Sequence, residues 1–179
     1  MRTLIADTET TGIHPNRTLR LERMPEIIEF YGHIVDLDRG VCSEEINQLI
    51  KPKTAVDEGS KAHKKVQITN AMLEQEKGFA FYAAEIKALI ESADMFITHN
   101  ISFDTEIIEI EYQRLAQVIY WPRRLCTVEQ TVHLKGYRLS LSNLHEYLFG
   151  EKFEGAHRAK VDVEALTRCC IELRRRKII

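Results

Sequence analysis

The tightest constraint on this chain is the join between a wholly apolar triplet and an acidic turn in its first dozen residues. Leu4-Ile5-Ala6 runs directly into Asp7-Thr8-Glu9-Thr10-Thr11-Gly12. A short run that is apolar at every position fits a strand buried on both faces, with other structure packed above and below its sheet. Side chains at i and i+2 of an extended segment share a face, so Asp7 and Glu9 project together from the strand end. Two adjacent carboxylates resist ionising together unless a cation lies between them. Hard divalent cations take oxygen ligands, so the pair suits Mg²⁺ or Mn²⁺ better than Zn²⁺. Thr, Asp and Gly are also ordinary turn residues, and a bare acid pair is compatible with that simpler role.

The pattern that follows selects a fold class. Ile27 to Leu37 is rich in Ile, Phe, Tyr and Val, and Val41 to Ile50 follows across Asp38-Arg39-Gly40, which reads as a hairpin. Helical spacing then takes over, with apolar residues at 79, 82, 83, 86, 89 and 90. Met95-Phe96-Ile97 is a short strand, and Phe103 to Leu115 a helix with Ser102 as its N-cap. Leu125 to Val128 is expected to be the last strand. Leu141 to Phe149 reads as a helix begun by Ser140 and stopped by Gly150, and a final helix spans about residues 158–176. A β-meander followed by alternating strands and helices predicts an α/β fold, a mixed sheet flanked by helices. At 179 residues the chain is expected to form a single domain over 1–179.

Composition narrows the class further. Hydrophobic residues at 44% and charged residues at 29% exclude a disordered tail, a collagen-like repeat and a coiled coil. Cys42, Cys126, Cys169 and Cys170 contain no CxxC pair, and read as reduced, core-filling thiols of a cytoplasmic protein. No apolar run approaches the ~18 residues of a bilayer span, and the segment ahead of Asp7 is too short for a signal peptide, so no membrane association is expected. The net charge of −2 argues against a passive nucleic-acid coat. With four carboxylates committed to cations, 25 basic residues face 23 remaining acids and the balance becomes +2. The charge count is therefore compatible with a nucleic-acid enzyme.

Two further acidic segments are candidates for the same site. His99-Asn100-Ile101-Ser102-Phe103-Asp104 follows a strand and opens a helix, where Asp104 also complements the helix dipole and Asn100 or Ser102 can cap. His157-Arg158-Ala159-Lys160-Val161-Asp162 opens the last helix. There Ala159, Val163, Leu166, Cys170 and Leu173 form an apolar stripe. Asp162 lies about 40° from Leu166 and about 20° from Leu173, at the stripe's edge. An acid turned toward a core is costly unless paired or metal-bound. Arg158, four residues earlier, is a partner by spacing. His157 is about 140° round the helix from Asp162, so a shared site requires His157 on the preceding loop, freed by Gly155. Lys61-Ala62-His63-Lys64-Lys65 and Tyr120-Trp121-Pro122-Arg123-Arg124 can contact phosphates or bases, but both read first as a solvated face and a surface turn.

Taken together the three acidic segments resemble the motifs of the DnaQ-like exonucleases of the DEDD superfamily, in the version that uses His in the third motif. Asp7-Thr8-Glu9-Thr10-Thr11-Gly12 resembles the first motif, His99-Asn100 with Phe103-Asp104 the second, and His157 with Asp162 the third. Ile27-Ile28-Glu29-Phe30 resembles the family's second strand and Ser142-Asn143-Leu144 the approach to the third motif. Six fixed residues at the first motif alone arise by chance about once in tens of millions of positions. The resemblance implies a ribonuclease H-like fold with a five-stranded mixed sheet. It implies Asp7, Glu9, Asp104 and Asp162 as ligands of two divalent ions, Mg²⁺ or Mn²⁺, and His157 as general base. It implies Thr10, Thr11, Gly12, His99, Asn100 and Phe103 around the terminal nucleotide. The implied activity is 3′-to-5′ hydrolysis of DNA, single-stranded ends preferred, releasing nucleoside 5′-monophosphates.

One departure is visible: many relatives carry a His two positions before an Ile-Thr pair, whereas here Val66 precedes Ile68-Thr69 and the nearest His is His63. The chain ends soon after its last helix, and a polymerase partner is not supported by the sequence. The competing readings are an exoribonuclease of the same superfamily and a nucleic-acid-binding module without turnover. A phosphatase of the Asp-x-Asp-x-Thr type fits less well, because Glu9 stands where its second Asp belongs.

Overall fold

The apolar opening triplet lies inside β1 (Thr3–Thr10), followed by β2 (Ile27–Asp36), β3 (Val41–Leu49), β4 (Met95–Thr98) and β5 (Arg123–Cys126). The computed structural model describes residues 1–12, 20–60 and 63–179, with the backbone alone at 64 and 65. Of the lysine-rich segment, Lys61 and Ala62 therefore lie outside the described residues. The strands form one mixed sheet in the order β3-β2-β1-β4-β5. β1 is antiparallel to β2 and parallel to β4, and β5 runs parallel to β4. This is the expected five-stranded mixed sheet, with β1 at its centre.

The predicted hairpin forms as read. Gly40, at φ 67°, donates its N–H to the Asp36 carbonyl at 2.7 Å. Among the described residues seven α-helices accompany the sheet: α1 (His63–Val66), α2 (Asn70–Leu73), α3 (Phe79–Glu91), α4 (Ile101–Arg114), α5 (Thr127–Lys135), α6 (Leu141–Phe149) and α7 (Ala159–Arg175). α6 starts where predicted, the Ser140 hydroxyl accepting the Asn143 N–H, and stops at Gly150 with φ 78°. The His63 position is buried in α1, and Thr69 caps α2.

Two expectations are corrected. The last strand is Arg123–Cys126 rather than Leu125–Val128, and Thr127 opens a helix that the sequence does not predict. Its partner β4 ends at Thr98, opposite Cys126, so no ladder exists beyond that point. α5 buries only Thr127, Val128 and Thr131, which leaves no apolar stripe to read. Of the two capping candidates, Asn100 holds the N-cap position of α4, in the left-handed region at φ 84° and without a side-chain cap bond, and Ser102 does not. Ser102 sits exposed inside the first turn.

Alternation along β1 divides the core. Leu4 and Ala6 face α3 and α4, with Phe30, Ile34, Ile86, Phe96, Ile107 and Ile108 in the same cluster. Ile5 faces the other way, against Tyr31, Val35, Ile97 and the stripe of α7. Ala159, Val163, Leu166, Cys170 and Leu173 are all at most 1% exposed, as their spacing predicts. Each fully buried Val or Leu contributes about 1.5–3 kcal/mol, so this stripe anchors α7 on the sheet. All four cysteines are free thiols, three of them buried. Among the described residues no helix is long and apolar enough to cross a membrane.

Candidate active site

The site lies where β1 outruns its parallel neighbour. β4 pairs with β1 only as far as Ile5, so Asp7 and Glu9 extend past the carboxyl end of β4. Crevices beyond the carboxyl ends of parallel strands are the usual binding sites of such sheets. Asp7 and Glu9 share the face of Ile5, the face covered by α7. α7 carries Asp162 to them, and one oxygen from each of Asp7, Glu9 and Asp162 falls within 4.8 Å of the others. At Glu9/Thr10 the ladder to β2 slips, which turns the chain out of the sheet into Thr11-Gly12.

Asp104 arrives from the opposite face. Thr8 points toward α4, and Asp104 Oδ1 accepts its main-chain N–H at 3.1 Å and its hydroxyl at 2.9 Å. Asp104 is 2% exposed. It stands outside the three-oxygen group, yet its charge is the strongest of those acting on Asp7.

The loop before α7 carries His157, exposed and left-handed at φ 73°, with Gly155 also left-handed at φ 76°. The expected loop placement of His157 is therefore what the backbone shows. Its main-chain N–H donates to Asp162 Oδ2 at 3.0 Å. Arg158 does not pair with Asp162; its guanidinium goes to Glu29 on β2, with Nη2 2.7 Å from Oε1.

The electrostatics describe a site that holds protons when no cation is bound. Burial, then the carboxylates of Asp104 and Glu9, holds Asp7 well above the usual carboxylate range. Burial with the Asp162 and Glu29 charges pushes Glu9 up to about 8, against the pull of Arg158. Burial lifts Asp104 to about 6 against its Thr8 hydrogen bonds, and lifts Asp162 to about 6 against the His157 N–H. An all-oxygen donor set that repels itself in this way fits a hard divalent cation, which restores the ionised form of each ligand.

The remaining predicted residues frame the cluster. Thr11 exchanges two bonds with Glu26: its N–H donates to the Glu26 carbonyl at 2.9 Å, and its hydroxyl accepts the Glu26 N–H at 3.0 Å. The Thr10 hydroxyl donates to the Gly12 carbonyl. A Cβ on Gly12 would come within 3.2 Å of the Pro25 ring. Asn100 is exposed at the start of α4, and Phe103 is half-buried one turn on. His99 is half-buried with both ring nitrogens engaged: Nε2 donates to the Leu139 carbonyl at 3.0 Å and Nδ1 lies 2.9 Å from the Thr127 hydroxyl. Burial lowers its pKa to about 4, so it stays neutral. Trp121 packs on Phe96 and donates to Glu109, leaving Tyr120 as the exposed ring of its segment.

Two residues with a part in this geometry carry no role in the sequence reading. Glu29 appears there only within a strand pattern, and Arg158 only as a helical neighbour of Asp162. The available signal is Glu29 itself, a lone acid in the otherwise apolar run Ile27 to Tyr31.

A mixed sheet with acids gathered at the end of its central strand, closed by helices from both faces, is the ribonuclease H-like arrangement of nucleases. The chain belongs to the exonuclease family, the RNase T-type family whose profile matches residues 4–169. A curated relative is the DNA polymerase III subunit epsilon of Buchnera aphidicola subsp. Schizaphis graminum, 28% identical over 134 residues. That match covers 74% of this chain and 54% of the relative, so the chain spans about half the length of the curated relative it matches. Among solved structures, the nuclease domain of 3′hExo, a DEDDh family member bound to rAMP, superposes with a TM-score of 0.77 at 14% identity, covering 98% of this chain and 92% of that one. Exonuclease X in complex with 5′-overhanging duplex DNA superposes at 0.69 and 20% identity, covering 97% and 92%. The E. coli ExoI–ssDNA complex superposes at 0.78 and 20% identity, covering 98% and 41%. The exonucleases of this family use divalent metal ions, which agrees with the donor set described above.

Proposed function

We propose that this protein is a 3′-to-5′ exonuclease that removes nucleoside 5′-monophosphates from DNA 3′ ends, single-stranded ends preferred. The observation that carries the reading is the convergence of Asp7, Glu9 and Asp162 oxygens within 4.8 Å, with Asp104 held beside them by Thr8. Two divalent cations held by these four acids, Mg²⁺ or Mn²⁺, would activate water and stabilise charge on the leaving 3′-oxygen. His157, exposed on the adjoining loop, is the general base; a neutral imidazole is well suited to take a proton near neutral pH. Thr10, Thr11 and Gly12 bring main-chain groups to the terminal sugar, with Gly12 permitting close approach. His99, Asn100 and Phe103 line the pocket for the terminal nucleotide, His99 being held there by its Leu139 and Thr127 bonds.

The choice of DNA is supported by the DNA polymerase III subunit epsilon relative and by the DNA held in two of the structural neighbours. The test uses 5′-labelled DNA and RNA of one sequence, each with Mg²⁺, Mn²⁺ or EDTA. A ladder shortening from the 3′ end only with metal is expected, faster on DNA. Faster RNA shortening assigns an exoribonuclease. No shortening of either strand with metal present overturns the nuclease reading in favour of a binding module.

A further inference from the structure

Glu29 stands directly across the sheet from Glu9 and is 1% exposed. A fifth carboxylate beside four others is strongly destabilising unless it is paired. Glu29 is paired at both oxygens. Oε1 accepts from Arg158 Nη2 at 2.7 Å and Nε at 3.2 Å; Oε2 accepts from Nε at 3.2 Å and from the Ala159 main-chain N–H at 2.9 Å. With both oxygens engaged, Glu29 is absent from the ligand group formed by Asp7, Glu9 and Asp162.

These bonds act on the loop that carries His157. Arg158, the N-cap of α7, provides no side-chain cap of its own, so Glu29 reaches from β2 to satisfy the first N–H of the helix. The planar guanidinium is held as a fork against one carboxylate, a geometry that Lys does not reproduce. His157 precedes this anchor in a backbone region that side-chain-bearing residues rarely adopt. Such a conformation persists only where its surroundings over-determine it. The surroundings include the His157 N–H on Asp162 at 3.0 Å and the Arg158–Glu29 pair on the other side. α7 itself is anchored by its apolar stripe, so loss of the pair releases the loop rather than the helix.

We infer that Glu29 and Arg158 are positioning residues for the hydrolysis, their ion pair setting where the His157 loop stands over the acid cluster. The catalytic half of this inference rests on the exonuclease reading; the structural half does not. The test compares the full chain with R158M, R158K, E29Q, H157A and H157A/R158M. Amide hydrogen exchange over residues 156–160 in EDTA is expected to speed up about tenfold or more in R158M, with less change in R158K. With Mn²⁺ and a labelled strand, R158M is expected to lower kcat about 10- to 100-fold with KM within about threefold. In the H157A background the same change is expected to alter kcat less than about twofold, because it acts through His157. Thermal melts verify folding, and the isosteric E29Q carries the test should R158M not fold. Unchanged exchange over 156–160 overturns the inference whether or not the protein is a nuclease. Equal kcat losses from R158M with and without His157 also overturn it, reducing the pair to a stability element. A wild-type chain inert toward every strand defeats the exonuclease reading alone, and the exchange data then decide the structural half.

Discussion

Asp104 Oδ1 takes two hydrogen bonds from one residue, the main-chain N–H and the hydroxyl of Thr8, across 96 positions of sequence. Thr8 lies between Asp7 and Glu9 but faces the other side of the sheet, so a single strand organises acids on both of its faces. T8V keeps the main-chain bond and removes the hydroxyl. A hydrogen bond to a charged group is worth about 1.5–3 kcal/mol. Because that bond lowers the Asp104 pKa, its loss raises a value already near 6. The expected result is an acid limb of the Mn²⁺-binding profile displaced to higher pH, with binding regained toward pH 9. An undisplaced limb would remove Asp104 ionisation from metal binding.

The metal-free protein is expected to be more stable in mild acid than in base. Glu9 titrates near 8 in the fold against 4.5 without it, and Asp104 and Asp162 near 6 against 3.8. Raised carboxyl values mean that the folded chain binds the extra protons. Their contribution is complete below about pH 4 and is lost as pH climbs through 6 to 8. Other groups set the acid limit, so the comparison is made from pH 5.5 to 8.5. In EDTA the Tm should fall by several degrees over that range, and Mn²⁺ should restore most of it at pH 8.5. A Tm that rises with pH in EDTA contradicts the clustering of these acids.

D7N removes one ionisable group from the cluster without changing its shape. Turnover should drop below detection. Tm in EDTA at pH 8 should rise by a few degrees, since an amide at this position carries neither the burial cost of Asp7 nor its repulsion with Asp104 and Glu9. The stabilisation by Mn²⁺ seen in the wild type should largely vanish. Wild-type turnover in D7N would falsify the metal-site assignment.

H157A separates chemistry from binding. General-base catalysis is typically worth about 10²–10⁴-fold. We expect kcat to fall within that range while strand affinity, measured with Ca²⁺ in place of Mg²⁺, changes by less than about threefold. A matching loss of affinity would recast His157 as a binding residue.

Gly32 tests the sheet rather than the site. It sits opposite Ala6, and an added Cβ would come within 3.1 Å of the Ala6 Cβ and 3.2 Å of Leu4 Cδ1. G32A should destabilise the fold by about 1–3 kcal/mol, the ordinary penalty for overpacking. Denaturant unfolding that shows no loss would mean that β1 and β2 separate more easily than their packing suggests.

Much of this architecture is written locally. The apolar triplet 4–6, the 27–50 hairpin, the 3.6-residue stripe of α7 and the Ser140 and Gly150 boundaries of α6 depend on neighbours a few residues away, and each is found where its pattern places it. The same holds for the common face of Asp7 and Glu9, which follows from strand alternation alone. Other features are invisible to such patterns. α5 lacks an apolar stripe, and the end of β5 is set by where β4 stops. Asp104 meets Thr8 across 96 residues and Arg158 meets Glu29 across 129, although spacing alone pairs Arg158 with Asp162. Side-chain direction is a local property of φ and ψ, so the sequence by itself determined which acids each element presents. The partner of each buried charge depends on strand order and helix packing. Only the tertiary structure decided which helices cover β1, with α4 and α7 delivering their acids to it from opposite faces.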